Sequence, residues 1–149
     1  MAAGSRTFPG FAKAGTLDAL TRRMTPQELR DRTDRFSVGI ITFCRSMLPA
    51  DPLALRLIGQ LQDSGTSMAS NYHAACRAQS RAQFVAKLSI AVEEADECVG
   101  WLHKLVTARV VPADRLADLQ QEASELLAIL SASRKTAAGR RMTHSRNRR

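Results

Sequence analysis

The densest reactive chemistry in this sequence is an acidic run, Glu93-Glu94-Ala95-Asp96-Glu97. On a helix Glu93 shares a side with both Asp96 and Glu97, so these carboxylates repel one another unless cations or a metal answer them. Three uses follow: a metal site, an acid–base pair, or an ion network between helices. Helical bundles that hold paired metals combine carboxylates with Glu-x-x-His. That motif is missing, and His73, His103 and His144 do not have the spacing of an HExxH site. His73 and Cys76 share a helix side, and Cys98 with His103 could approach them from a neighbouring helix, but helical phase does not aim all four at one zinc. A Cys–His nucleophile here has no oxyanion donor and no third orienting group, and spacing alone specifies no Ser-His-Asp triad. Gly65 is followed by no Gly-Lys-Ser/Thr, so there is no phosphate loop. The residues therefore predict no catalytic group, no metal and no cofactor. The acidic run reads as an ion network, with Arg77, Arg81 and Lys87 as candidate partners.

The other chemical signal is the placement of positive charge. The chain carries a net +8, but residues 26–133 hold 11 basic and 13 acidic side chains, whereas 1–25 hold four basic and one acidic. Residues 134–149 carry seven Lys/Arg and no acid. A near-neutral body with cationic ends points to a phosphate-bearing partner. Arg134, Lys135, Arg140, Arg141, Arg146, Arg148 and Arg149 are the candidate nucleic-acid-binding residues. They would lie along a phosphate backbone and release its condensed counterions. No aromatic residue occurs among 134–149, so base stacking by this tail is not expected. The competing reading is that the tail only keeps a small protein soluble.

These groups need a scaffold, and 149 residues with 44% hydrophobic content suffice for one core. No apolar run reaches the roughly 18 residues of a membrane span, and Met1 to Gly15 has no continuous apolar segment of the secretory kind. Cys44, Cys76 and Cys98 form no CxxC pair and read as three buried thiols of a reducing compartment, hence a cytoplasmic protein.

Thr25-Pro26-Gln27-Glu28 is a capping box with proline at the first helical position. It opens a helix whose inner face is Leu29, Thr33, Phe36, Ile40, Phe43 and Met47. Pro49 and Pro52 end that helix and begin the next, with Asp51 as cap. The second face is Leu53, Leu57, Leu61, Ser64, Met68, Tyr72 and Ala75. It runs through Ser64–Ser70, small residues that cost helix propensity but admit a neighbour closely. Ser80 and Gln83 open a third helix with Phe84, Leu88, Ala91, Ala95, Cys98, Leu102 and Leu105 inside. After Val110-Val111-Pro112 a fourth uses Leu116, Leu119, Ala123, Leu126, Leu127 and Leu130 until its pattern fades past Ser133. Long helices joined by short turns predict an all-α, up-down-up-down four-helix bundle. The expected boundaries are a disordered basic extension over 1–24, the bundle over 25–136, and a disordered basic tail over 137–149. Apolar residues off the inner stripes, Ile41, Ile58, Val85, Val92, Val99, Trp101 and Ile129, are shoulders of the core or parts of a subunit interface.

Three stretches carry a resemblance beyond pattern: Gly65 to Arg77, Ser80 to Leu88 with Glu93–Glu97 and Trp101-Leu102, and Glu125 to Leu130 with Ser133–Thr136. Together they resemble the S23-like four-helix-bundle proteins associated with intervening sequences of 23S ribosomal RNA genes, over roughly Leu29 to Thr136. The family is in turn similar to an accessory protein of diversity-generating retroelements. That likeness implies a barrel-like homopentamer working with nucleic acid, RNA or single-stranded DNA, and a reverse transcriptase, without enzymatic activity. It also implies that Asn71, Tyr72, Arg77, Arg81, Lys87, Glu93, Glu94, Asp96 and Glu97, which match the family's recurrent polar pattern, fix helix register or join subunits. The function expected is a non-enzymatic, homo-oligomeric accessory scaffold on nucleic acid. The alternative is a protein-only interaction module.

Overall fold

The computed structural model describes residues 24–47 and 51–144, with side chains to residue 139. Four helices follow one another: α1 Pro26–Ser46, α2 Pro52–Cys76, α3 Arg81–Thr107 and α4 Ala113–His144. Each of the first three begins on the cap its sequence offers. Thr25 Oγ1 accepts the Glu28 amide at 3.1 Å while the Thr25 amide donates to Glu28 at 2.8 Å, and Pro26 occupies the first turn, where its missing N–H costs nothing. Asp51 accepts the amides of Leu53 and Ala54, both at 3.0 Å. Ser80 accepts the Gln83 amide at 3.1 Å, and Gln83 reaches back to the amide of Gln79, one residue before the cap.

The bundle is four-sided. α1 packs on α2, α2 on α3, α3 on α4, and α4 closes the ring on α1, while the diagonal pairs stay apart among the described residues. The α2–α3 interface is the most extensive and the α1–α4 interface the least. Twelve large side chains, among them Phe36, Phe43, Leu61, Met68, Leu102 and Leu126, are essentially inaccessible to water and form one core. At about 25 cal/mol per Å² of apolar surface, this burial is the main term holding the helices together.

One detail of α2 departs from the sequence pattern and another follows it. In the first turns of α2 the inner face is Ala54 and Ile58, whereas Leu53 is 66% exposed. Counting back from Leu61 by three and seven places those two residues on the core side, and Leu53 falls off it. The small-residue stretch Ser64–Ser70 is helical throughout. Ser64 and Thr66 satisfy their hydroxyls on the carbonyls of Gln60 and Gln62 four residues earlier, at 2.8 and 2.9 Å.

The α3–α4 turn is a Schellman closure: Arg109 N–H donates to Val106 O at 2.9 Å and Val110 N–H to Leu105 O at 3.0 Å. Arg109 takes the left-handed conformation, φ 56°, that glycine usually supplies there. α4 runs on to His144, past the boundary expected at 136, although Leu130 is its last fully buried residue. Ala, Arg and Met, all strong helix formers, make up five of the eight residues 137–144, and the cations lie at the end of the helix where the macrodipole is negative. Of the expected N-terminal extension, 1–24, residues 1–23 lie outside the described residues.

Candidate nucleic-acid interface and polar seams

Arg134 and Lys135 are exposed on α4, just beyond the core. Positions 134 and 141 are two turns apart on one side of the same helix, so backbone register alone aligns part of the basic run. The side chains of Arg140 and Arg141, and all of Arg146, Arg148 and Arg149, lie outside the described residues. The extension is tied to the bundle by Arg81, whose Nε donates to the carbonyl of Ala137 at 2.9 Å, with Nη2 also on that oxygen. This contact holds the beginning of α3 against the basic part of α4.

The polar residues expected to form one network separate into different settings. Asn71 and Glu94 are brought together through Ser67 on the α2–α3 seam: Ser67 Oγ donates to Glu94 at 2.8 Å, and Asn71 donates to the Ser67 carbonyl at 3.0 Å and to its hydroxyl at 3.2 Å. Arg77, Glu93, Asp96 and Glu97 are exposed and Lys87 half-buried, and no ion pair joins these among the described residues. Tyr72 is buried. Its phenol is pushed well above the ordinary range, first by burial and then by Cys76 one turn on.

The principal ion network lies elsewhere, across the small α1–α4 interface. Arg32 grips Glu122 through two bonds, Nε to Oε1 at 2.6 Å and Nη2 to Oε2 at 2.7 Å, and Nη2 also reaches Glu125. Gln121 donates to the other Glu125 oxygen at 2.9 Å. Bidentate pairing of this kind fixes orientation as well as contributing energy. Nearer the other end of the seam Arg115 donates to Ser46 Oγ at 3.0 Å. On the α1–α2 side His73 Nε2 lies 3.0 Å from Asp34 Oδ1, off the hydrogen-bonding direction. Sequence reasoning missed Arg32, Asp34, Glu122 and Glu125 as partners, because charges on the outer faces of helices are common and which of them pair is set only by which helices become neighbours.

The Arg32 network makes a stability prediction. Its side chains are largely but not fully buried, 18% exposed for Arg32 and 14% for Glu122. Breaking such a pair falls between the cost of a surface bridge and that of a fully buried one, so Arg32→Met should destabilise the fold by about 2 kcal/mol. The Glu125 carboxyl is held below its ordinary 4.5 by the Gln121 and Arg32 hydrogen bonds. A depressed folded pKa gives a contribution that is complete above the unfolded value and lost as pH falls through the folded one. The gap between wild type and Arg32→Met in urea unfolding should therefore be full at neutral pH and narrow below about pH 4.5, near the unfolded carboxylate value. A gap that does not change with pH counts against the network.

Two of the three cysteines are buried as expected: burial pushes the Cys44 thiol up to about 11 and that of Cys98 up to about 12. Cys76 is the correction, being half-buried where α2 ends beside a turn. It lines an open cleft of about 650 Å³ at the end of the bundle, bounded by Met24, Leu29, Tyr72, Phe84 and Ile129. The cleft lies where α1 starts and α2 ends, a juxtaposition that helix periodicity does not reveal. No cluster of three or more potential metal ligands occurs among the described residues. No helix of the described chain is long and apolar enough to cross a membrane.

Residues 28–132 match the model of the 23S rRNA-intervening sequence protein family. The chain belongs to this family. Among solved structures it is similar to a protein of unknown function from the S23 ribosomal protein family of Bacteroides thetaiotaomicron, with 27% identity, a TM-score of 0.68, and coverage of 75% of this chain and 99% of that one. No curated protein matches. The matched region ends at 132, so the basic residues from Arg134 onward lie outside the family segment. Membership in the family accords with a non-catalytic protein.

Proposed function

We propose that the protein is a non-enzymatic accessory scaffold that binds RNA or single-stranded DNA through the basic end of α4 and works as a homo-oligomer. The observation that carries the reading is the separation of charge along one continuous helix. α4 contributes acids and apolar residues to the bundle as far as Leu130, and then continues as a helix bearing exposed Arg134 and Lys135 with Arg140 and Arg141 beyond them. The acids of the body repel a phosphate backbone while the extension attracts it, so contact is confined to one end of the molecule. The family's name, which refers to intervening sequences of 23S rRNA, agrees with a nucleic-acid setting.

Self-association is supported by apolar side chains that one subunit leaves in water, Val38 at 60% exposed, Ile41 at 37% and Leu53 at 66%. The exposed acids Glu93, Asp96 and Glu97 and the exposed Arg77 are the groups that would pair between subunits. Five subunits and a reverse-transcriptase partner follow from the resemblance alone. Fluorescence anisotropy with labelled RNA and single-stranded DNA tests the main reading. At low salt the intact chain should bind at micromolar level, and Arg134→Ala/Lys135→Ala/Arg140→Ala/Arg141→Ala should weaken it at least tenfold with circular dichroism largely kept. Equal binding by both proteins, or none by the intact chain, rejects it in favour of a protein-only module. Light scattering over a dilution series tests the assembly, and a stable monomer of 16.3 kDa would remove it.

A further inference from the structure

The open cleft at the end of the bundle has the volume of a small binding site, about 650 Å³ where such sites span roughly 300–1,000 Å³. Its walls are mainly apolar and come from all four helices, and two aromatic rings line it, Tyr72 and Phe84. Tyr72 is buried in the core, whereas Phe84 is only half-buried and remains partly accessible. On the reading that the basic end of α4 holds RNA or single-stranded DNA, we propose that this cleft receives one unpaired base of the bound strand. The base stacks on Phe84, and the adjoining phosphate meets the first turn of α3.

Three observations select a nucleotide of that strand. The cleft and the basic extension are continuous: Ile129 and Ser133 of α4 line the cleft, and exposed Arg134 follows directly. Arg81, itself in the cleft wall, donates to the Ala137 carbonyl at 2.9 Å and so holds the extension beside the opening. A strand lying along the extension therefore passes the mouth of the cleft. Charge is the second observation. Among the described residues the lining holds one cation, Arg81, and no acid, and exposed Arg77 at the end of α2 sits in sequence between the lining residues Cys76 and Ala78. The amides of Arg81 and Ala82 fall in the first turn of α3, where no carbonyl of an earlier turn meets them, and the positive end of a 27-residue helix adds to their pull on a phosphate. The third is the complementary shortage on the extension, which has no aromatic residue to cover an unstacked base. Phe84 supplies that ring, and because every base has a π-face the contact tolerates any sequence.

The test uses the full-length chain and two short DNA single strands of equal length and charge, one with ordinary bases and one abasic throughout. Anisotropy at low salt should show the base-bearing strand bound at least about fivefold more tightly, the low end of what one base gains by stacking on a ring, with the same salt dependence for both. Cys76 reports the place, since it is half-buried in the cleft wall while Cys44 and Cys98 are buried. Maleimide labelling read by peptide mass spectrometry should be slowed about tenfold at Cys76 by a saturating base-bearing strand, and not by the abasic one. Phe84→Leu keeps apolar bulk and removes the ring, so it should bind the two strands alike with its circular dichroism unchanged. Equal binding of both strands by the wild type, with steep salt dependence, would leave the extension as the binding element and overturn the role of the cleft. Base preference without protection of Cys76 would place the base on another surface and overturn it too. So would equal protection by a free nucleoside monophosphate, which marks a site for a free nucleotide and not for a strand. No binding of either strand would reject the extension and the cleft together.

Discussion

Gly65→Ala is expected to destabilise the bundle, and Ile40→Val is expected to reverse that effect. A Cβ at position 65 would collide with Ile40 Cδ1, while Cγ1 and Cγ2 of the same side chain would lie at 3.5 Å, ordinary contact. Ile40 is fully buried and Gly65 buried, so neither side of the α1–α2 crossing can yield into solvent. Overpacking of this kind costs about 1–3 kcal/mol, here about 2, and alanine returns about 1 kcal/mol through helix propensity, which leaves a net loss of roughly 1 kcal/mol. Gly65→Val adds branched bulk at the same point and should lose about 3 kcal/mol. Ile40→Val removes the one carbon that collides, and alone costs about 1 kcal/mol. The double variant Gly65→Ala/Ile40→Val should then be at least as stable as Ile40→Val, because the propensity gain remains and the collision is gone. Urea unfolding of the four proteins would show a coupling energy of about 2 kcal/mol, large for a pair that differs by single methyl groups. Additive losses would mean that the helices separate at Gly65 without constraint.

This crossing shows what the sequence makes legible and what it conceals. Threonine, aspartate and serine caps, the prolines beside two of them, and apolar steps of three and four are local signals, and they place α1, α2 and α3 and the fold class correctly. The small residues around Gly65 were readable as a place of close approach, yet Ile40 as the neighbour was not, because it depends on how far α1 slides along α2. The same holds for Arg32 with Glu122 and Glu125, some ninety positions apart in the chain. An acidic run attracts notice by density, and Glu94 does reach across a seam, but it meets the hydroxyl of Ser67. Cys76 looked like its two buried counterparts because apolar spacing reports the side of a helix and not whether a neighbour is present at that height.

The basic extension of α4 should give nucleic-acid binding that is strong at low salt and nearly lost at higher salt. Each cation that pairs with a phosphate on a single strand contributes about −0.7 to the slope of log affinity against log salt. If five of the seven cations on 134–149 engage, the slope is about −3.5, and raising salt from about 50 to about 200 mM costs roughly 100-fold in affinity. Replacing Arg134, Lys135, Arg140 and Arg141 with alanine removes four of those contacts, so the slope should flatten toward about −1 as the affinity falls. Arg81→Ala separates position from charge. It frees the Ala137 carbonyl and with it the tie between α3 and the extension, so affinity should drop severalfold while the slope changes by less than one contact, since Arg81 is committed to that carbonyl and not to phosphate. In an oligomer one strand can meet several extensions, which steepens the slope and makes affinity depend on subunit concentration. Anisotropy titrations at four salt concentrations, with oligomeric state checked at each, would measure all of these quantities. A slope near zero would place binding in base-edge contacts or a pocket, and a slope that survives the four alanines would place the cations elsewhere on the surface.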